Sequence, residues 1–175
     1  MSKTIQKISF IAAGNGGVKI GYQTFDNNRL KDETAKKAKH PPHQTFIDAM
    51  QKLKTHLILI AEFAPPMKKY KELDVEDAIV KDFRVCGFTV SGEGEKEGII
   101  LTGYKTLSNG LGFVFNTPNT RVENEGESAY PFIAELLKDI EGVKEECELY
   151  LKGKYGKKTE GAPEIPFEEP VEAEE

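Results

Sequence analysis

Residues 83–115 read FRVCGFTVSGEGEKEGIILTGYKTLSNGLGFVF, and the punctuation of this stretch decides the fold class. Phe83 to Val90 is rich in β-favouring residues, and Ser91-Gly92-Glu93-Gly94-Glu95-Lys96 is too polar and glycine-rich to continue it. Gly98 to Leu107 makes a second such run, Ser108-Asn109-Gly110 a tight turn, and Leu111 to Phe115 a third run. Strands joined by turns this short predict an antiparallel meander.

On both sides of the meander the period changes. Upstream, Phe46, Met50, Leu53, Leu57 and Ile60 recur at spacings of four and three, the apolar stripe of a helix that starts near His43 and is closed by Pro65-Pro66. Downstream of the irregular stretch Asn116 to Glu127, Ser128 is a capping residue type and Pro131 suits a first turn. Ile133, Leu136, Ile140, Val143, Cys147 and Tyr150 then supply a second stripe, with Gly153 as a stop. Near the start, Ile5 to Ala12, the turn Gly14-Asn15-Gly16-Gly17, and the alternating Val18, Ile20 and Tyr22 read as a hairpin. Asn27 to Pro42 is polar and basic and reads as a loop, and Lys68 to Lys81 as a charged connection with a helical turn from Asp74 to Ile79. The order ββ-α-βββ-α predicts a two-layer α+β domain over residues 1–155, an antiparallel sheet of about five strands packed by two amphipathic helices. No internal repeat is evident in the residues themselves.

Residues 156–175 hold two Lys and seven Glu, with Gly or Pro at 156, 161, 163, 166 and 170. So little apolar surface cannot offset the entropy of ordering the chain, and an acidic, disordered C-terminal tail is expected, with Ile165 and Phe167 as its anchors. The tail accounts for the whole net charge of −5, leaving 22 basic and 22 acidic residues in the body. Within that neutral body, residues 29–54 are the basic region, with seven Lys or Arg against Asp32, Glu33 and Asp48.

Charge and cysteine usage exclude several classes of chemistry. Cys86 and Cys147 lie far apart and in no paired motif, which points to a reducing compartment and core packing, not to disulfides or a zinc site. His40 and His43 are separated by Pro-Pro and have no cysteine near them, so no metal is expected. The glycines at 14, 16 and 17 precede neither Gly-Lys-Ser/Thr nor a helix, and Glu93, Glu95 and Glu97 would repel a phosphate at Gly92, Gly94 and Gly98. Asp74, Glu76, Asp77 and Asp82 lie in a lysine-rich, solvated segment. The expectation is a non-enzymatic protein without a cofactor. The opening MSKTIQKISF lacks the apolar core of a signal peptide, and no run approaches the roughly 18 apolar residues of a membrane helix.

What remains is binding. Arg29, Lys31, Lys36, Lys37 and Lys39 lie close in sequence to Tyr22, Phe25 and Phe46, and Lys68, Lys69 and Lys71 surround Tyr70. Proteins that hold single strands combine phosphate-pairing cations with aromatic platforms for bases. The candidate nucleic-acid contacts are therefore Arg29, Lys31, Lys36, Lys37 and Lys39 for phosphates, and Phe25 and Tyr70 for stacking. A homo-oligomer is compatible with this composition. The competing reading is a protein-interaction module, an inhibitor or adaptor of a host protein that touches no nucleic acid.

Two resemblances sharpen the expectation. Pro163-Glu164-Ile165-Pro166-Phe167-Glu168-Glu169 resembles the acidic tail of bacterial single-stranded DNA-binding proteins, with eight residues following Phe167 where that family normally ends on the Phe. The likeness implies a protein partner docking at Ile165 and Phe167. Over roughly residues 5–155 the chain resembles small uncharacterised proteins of phages, prophages and conjugative elements of gut bacteria. That likeness lies in Val18-Lys19-Ile20-Gly21-Tyr22, the His-Pro-Pro segment leading into Phe46-Ile47-Asp48-Ala49-Met50-Gln51-Lys52-Leu53, Arg84-Val85-Cys86-Gly87-Phe88-Thr89-Val90, and Phe115-Asn116-Thr117-Pro118. It implies a bacterial cytoplasm and a role in replication, recombination or interference with host defence.

Overall fold

A computed structural model describes residues 2–10, 17–26, 29–65, 77–92, 96–123 and 129–157, with the backbone alone described at 2–10, 24–26, 29–37 and 77–78. The elements in chain order are β1 (Ser2–Phe10), β2 (Val18–Asp26), β3 (Arg29–Ala38), α1 (Gln44–Lys52), α2 (Lys54–Ile60), α3 (Asp77–Val80), β4 (Phe83–Ser91), β5 (Gly98–Thr106), β6 (Gly112–Asn116), β7 (Thr120–Arg121) and α4 (Ile133–Leu151). The strands form one antiparallel sheet in the order β3-β2-β1-β4-β5-β6, with β7 also on β5. Helices cover one face of it, so the expected two-layer α+β architecture is the one observed. Of the expected tail, Gly156 and Lys157 are described, with Gly156 bonded to the body; the rest, with Ile165 and Phe167, lies outside the described residues.

Three local readings need correction. Most of the loop expected over Asn27–Pro42 is β3, paired with β2 from Asp26↔Arg29 to Val18↔Ala38. As an edge strand it has little apolar patterning to betray it, and its link to β2 is Asn27-Asn28, a residue type favoured in two-residue hairpin turns. The first helix is divided at Leu53, whose N–H bonds to the Met50 carbonyl at 3.2 Å, a tighter turn that keeps Phe46, Met50, Leu53 and Leu57 on one buried stripe. It also ends before Pro65: the Phe63 N–H reaches the Ile58 carbonyl at 3.0 Å and the Glu62 N–H the Leu59 carbonyl at 3.1 Å, a Schellman closure with Glu62 at φ 57°. Likewise α4 starts at Ile133 with Phe132 at its N-cap position; Ser128, the expected cap, lies outside the described residues.

The core lies between the layers. Val18 and Ile20 of β2, Phe83, Val85 and Phe88 of β4, and Ile99 and Leu101 of β5 meet the stripes of α1, α2 and α4. Leu57 packs so closely on Gly103 that a Cβ there would collide with the leucine side chain. Where β1 stops pairing with β4 at Gly87, Gln51 of α1 takes over, its amide donating to the Val85 carbonyl at 3.1 Å and accepting the Val85 N–H at 3.2 Å. Thr45 donates to Glu146 at 2.7 Å, joining α1 to α4. The end of α4 is tied to the exit of β3: the Tyr150 hydroxyl donates to the His40 carbonyl at 2.6 Å, and the Gly156 N–H to that of Pro41 at 2.9 Å.

The pairings disclose a symmetry that the residues hide. β1 and β4 meet about Ile8↔Phe88, and each carries one extra residue against its outer neighbour, between Ile5 and Lys7 in β1 and between Val85 and Gly87 in β4. Tyr22↔Thr34 of the first hairpin corresponds to Gly103↔Phe115 of the second, both partners 81 positions later. The buried series Phe46, Met50, Leu53, Leu57 is matched, 90 positions on, by Leu136, Ile140, Val143 and Cys147. Two β-β-β-α halves are thus related by a pseudo-two-fold axis between β1 and β4.

Candidate nucleic-acid interface

Successive residues of a strand go to opposite faces, and directly paired residues share one. Because Val18, Ile20, Phe88, Ile99 and Leu101 face the helices, the register assigns the alternate positions to the other face. Among the described residues no helix covers that face. Its charged strand positions are Lys7 on β1, Lys19 on β2, Glu33 and Lys37 on β3, Arg84 on β4 and Arg121 on β7: five cations and one carboxylate. The rest are polar, small or apolar, among them Ser9, Gly21, Gln23, Thr89, Ile100, Thr102 and Asn116. Lys19 and Arg121 are exposed and Arg84 is half-buried.

One aromatic group on this face is held in place. The Arg84 guanidinium carbon lies 5.0 Å from the centre of the Tyr104 ring, a cation–π pair between adjacent strands. On the other side of Tyr104, a Cβ on Gly112 would run into the tyrosine hydroxyl group. The glycine therefore leaves room for the ring to lie over β6, and the arginine fixes it there. Near the same arginine, burial, and then the positive charge of Arg84, lower the proton affinity of Lys54 at the start of α2.

The sequence candidates divide between the two faces. Phe25 (paired with Leu30) and Lys37 (paired with Lys19) have register positions on the open face, whereas Arg29 and Lys36 lie on the helix-side face of the same edge. Lys31 falls at the shift between Thr24↔Asp32 and Phe25↔Leu30, and Lys39 is exposed just past β3. Tyr70 lies outside the described residues. Lys7, Lys19, Arg84, Tyr104 and Arg121 are far apart in the sequence and form no cluster there; strand alternation around Arg84 and Tyr104 is the signal the sequence offers for them.

Other polar groups have structural partners. His56 is completely buried, with Nδ1 2.7 Å from the Tyr130 hydroxyl and Nε2 3.4 Å from an Asp139 carboxylate oxygen, a polar link between α2, α4 and the segment before α4. Burial pushes the Cys147 thiol up to about 12, with the Glu148 charge adding to it. It raises the Cys86 thiol as well, against the opposing charge of Arg84. A depression of about 520 Å³ at the end of α2 is lined by Leu59, Glu62, Phe63, Ala64 and Pro65, and so offers a single titratable group. Among the described residues no three His, Cys, Asp or Glu side chains could hold a metal, and no helix is long and apolar enough to cross a membrane.

Set against known proteins, the chain matches no family, no curated protein and no solved structure.

Proposed function

We propose that this chain is a non-enzymatic single-stranded nucleic-acid-binding protein, an accessory of replication or recombination in phages or mobile elements in the bacterial cytoplasm. The observation that supports this most is the asymmetry of the sheet: among the described residues, five cationic strand positions to one carboxylate on the face that no helix covers, in a chain whose net charge is −5. A strand crossing that face pairs its phosphates with Lys7, Lys19, Lys37, Arg84 and Arg121 and stacks bases on Tyr104 and Phe25. Open sheets bearing aromatic residues are suited to splayed single strands, because every base offers a ring face while a duplex hides it. Lys39 extends the cationic track at the edge, and Arg29 and Lys36 stay outside it. The acidic tail, through Ile165 and Phe167, holds a protein partner and competes with nucleic acid for the face.

The test is the fluorescence anisotropy of a labelled single-stranded oligonucleotide titrated with the full chain, with a chain ending after Lys157, and with Tyr104→Ala and Lys19→Glu variants. Binding is expected to fall with salt and to strengthen when the tail is removed. Tyr104→Ala should weaken it about 5- to 150-fold, the equivalent of about 1–3 kcal/mol per stacked base. Lys19→Glu should weaken it and flatten the salt dependence by about 0.7 for each phosphate left without its cation. No binding at low salt by either chain length contradicts the proposal and favours an interaction module whose partner is a host protein.

A further inference from the structure

The two edges of the sheet differ in kind. β3 carries Arg29, Lys31, Asp32, Glu33, Lys36 and Lys37, the charges with which edge strands resist unwanted pairing. β6, Gly112-Phe113-Val114-Phe115-Asn116, carries none, and it is open: Phe113 is 41% exposed, Val114 47%, and the adjoining Leu111 66%. The hydrogen bonds fix which way its backbone points. The Leu107 N–H bonds to the Leu111 carbonyl and the Thr117 N–H to the Leu101 carbonyl, so residues 111, 113, 115 and 117 turn their peptide groups to β5. Gly112, Val114 and Asn116 turn theirs to the outer edge, which no strand pairs among the described residues.

We infer that β6 is a homodimer interface in which it pairs antiparallel with β6 of a second copy about a two-fold axis at Val114. Three features select a second copy as the occupant. Phe113-Val114-Phe115 reads the same in both directions, so this register places each Phe113 opposite the other copy's Phe115 and the two Val114 residues opposite each other. The outward peptide groups of Gly112, Val114 and Asn116 then meet those of Asn116, Val114 and Gly112, each pair exchanging two hydrogen bonds. With no charged residue in β6, the pairing brings no like charges together, which an edge such as β3 would do in some registers. The chain's own β1–β4 junction is built the same way, two antiparallel strands about a pseudo-two-fold axis. Such a dimer joins two six-strand paths edge to edge with their uncovered faces on the same side. The inference does not depend on nucleic-acid binding.

Size-exclusion chromatography with light scattering tests it on the full chain. The expected result is twice the 19.5 kDa chain mass at high micromolar concentration, halved by Val114→Lys, which opposes two ammonium groups across the axis. Val114→Pro should halve it too, because the N–H it removes points away from β5; unchanged far-ultraviolet circular dichroism establishes that both variants fold. Mild oxidation supplies a second arm that survives a folding failure. Val114→Cys, whose Cα atoms would lie about 5.5 Å apart across the axis, is expected to crosslink the copies, and Asn116→Cys, opposite Gly112, is not. A wild-type chain that stays at monomer mass overturns the inference and leaves the edge to a strand of another protein. A dimer indifferent to Val114→Lys, or equal crosslinking at 114 and 116, overturns it as well.

Discussion

Glu62 stands at φ 57° in the C-terminal turn of α2, a backbone region that costs a residue with a Cβ about 1–2 kcal/mol and costs glycine almost nothing. Glu62→Gly is therefore expected to raise the unfolding free energy, by up to about 1 kcal/mol once the extra freedom of glycine in the unfolded chain is subtracted. A raised urea midpoint checks this, and a lowered one would mean that the glutamate side chain holds the turn. Tyr130 and His56 make the opposite case. Tyr130→Phe keeps the ring against Phe132 and removes the hydroxyl from His56 Nδ1, so a loss of about 0.5–1.5 kcal/mol, or more if the ring nitrogen is left without water, is expected in the same assay. The thiols can be read in both directions. Their wide separation in sequence already indicated packing, and the elevated proton affinity of Cys147 predicts that a thiol reagent leaves it unmodified in the native state and labels it on unfolding.

At the scale of elements, the sequence was most legible where burial imposes a period. The helical stripes, the meander and β2 all have one face in the core, and their apolar residues recur accordingly. β3 has only Thr34 and Ala38, besides charged residues, opposite the core-facing positions of β2, so its composition resembles that of a loop and only the pairing reveals it. The same alternation explains why the basic stretch Arg29–Lys39 does not stay on one face of the sheet. Neighbours in a strand go to opposite faces, so a cluster in sequence is split in space, and a cluster in space is assembled from six strands. Packing between elements makes its own prediction. Gly103→Val would drive a branched side chain into Leu57, and overpacking at such a position typically costs about 1–3 kcal/mol. Gln51→Ala leaves the Val85 N–H and carbonyl short of partners, with a loss of about 1–3 kcal/mol, and Gln51→Glu recovers only the bond from the N–H. Chemical denaturation of the variants ranks these costs.

For the molecule as a whole, the repeated pairing pattern gives the sheet two similar halves with different surfaces. Core positions correspond between halves, while the charged and aromatic positions do not: Gln23 stands where the second half has Tyr104, and Thr4 where it has Arg84. The two halves share their packing and differ in their exposed face. The residues could show the scaffold piecewise but not the face, since no local pattern joins Lys7, Lys19, Arg84, Tyr104 and Arg121. The most direct check on the role of that face is ultraviolet crosslinking of a single-stranded oligothymidine to the full chain, followed by mass spectrometry of the crosslinked peptides. Crosslinks at Tyr104 and Phe25, lost at high salt, are the expected result. Crosslinks confined to the helix layer, or none at low salt and high micromolar protein, would contradict a nucleic-acid role for the open sheet.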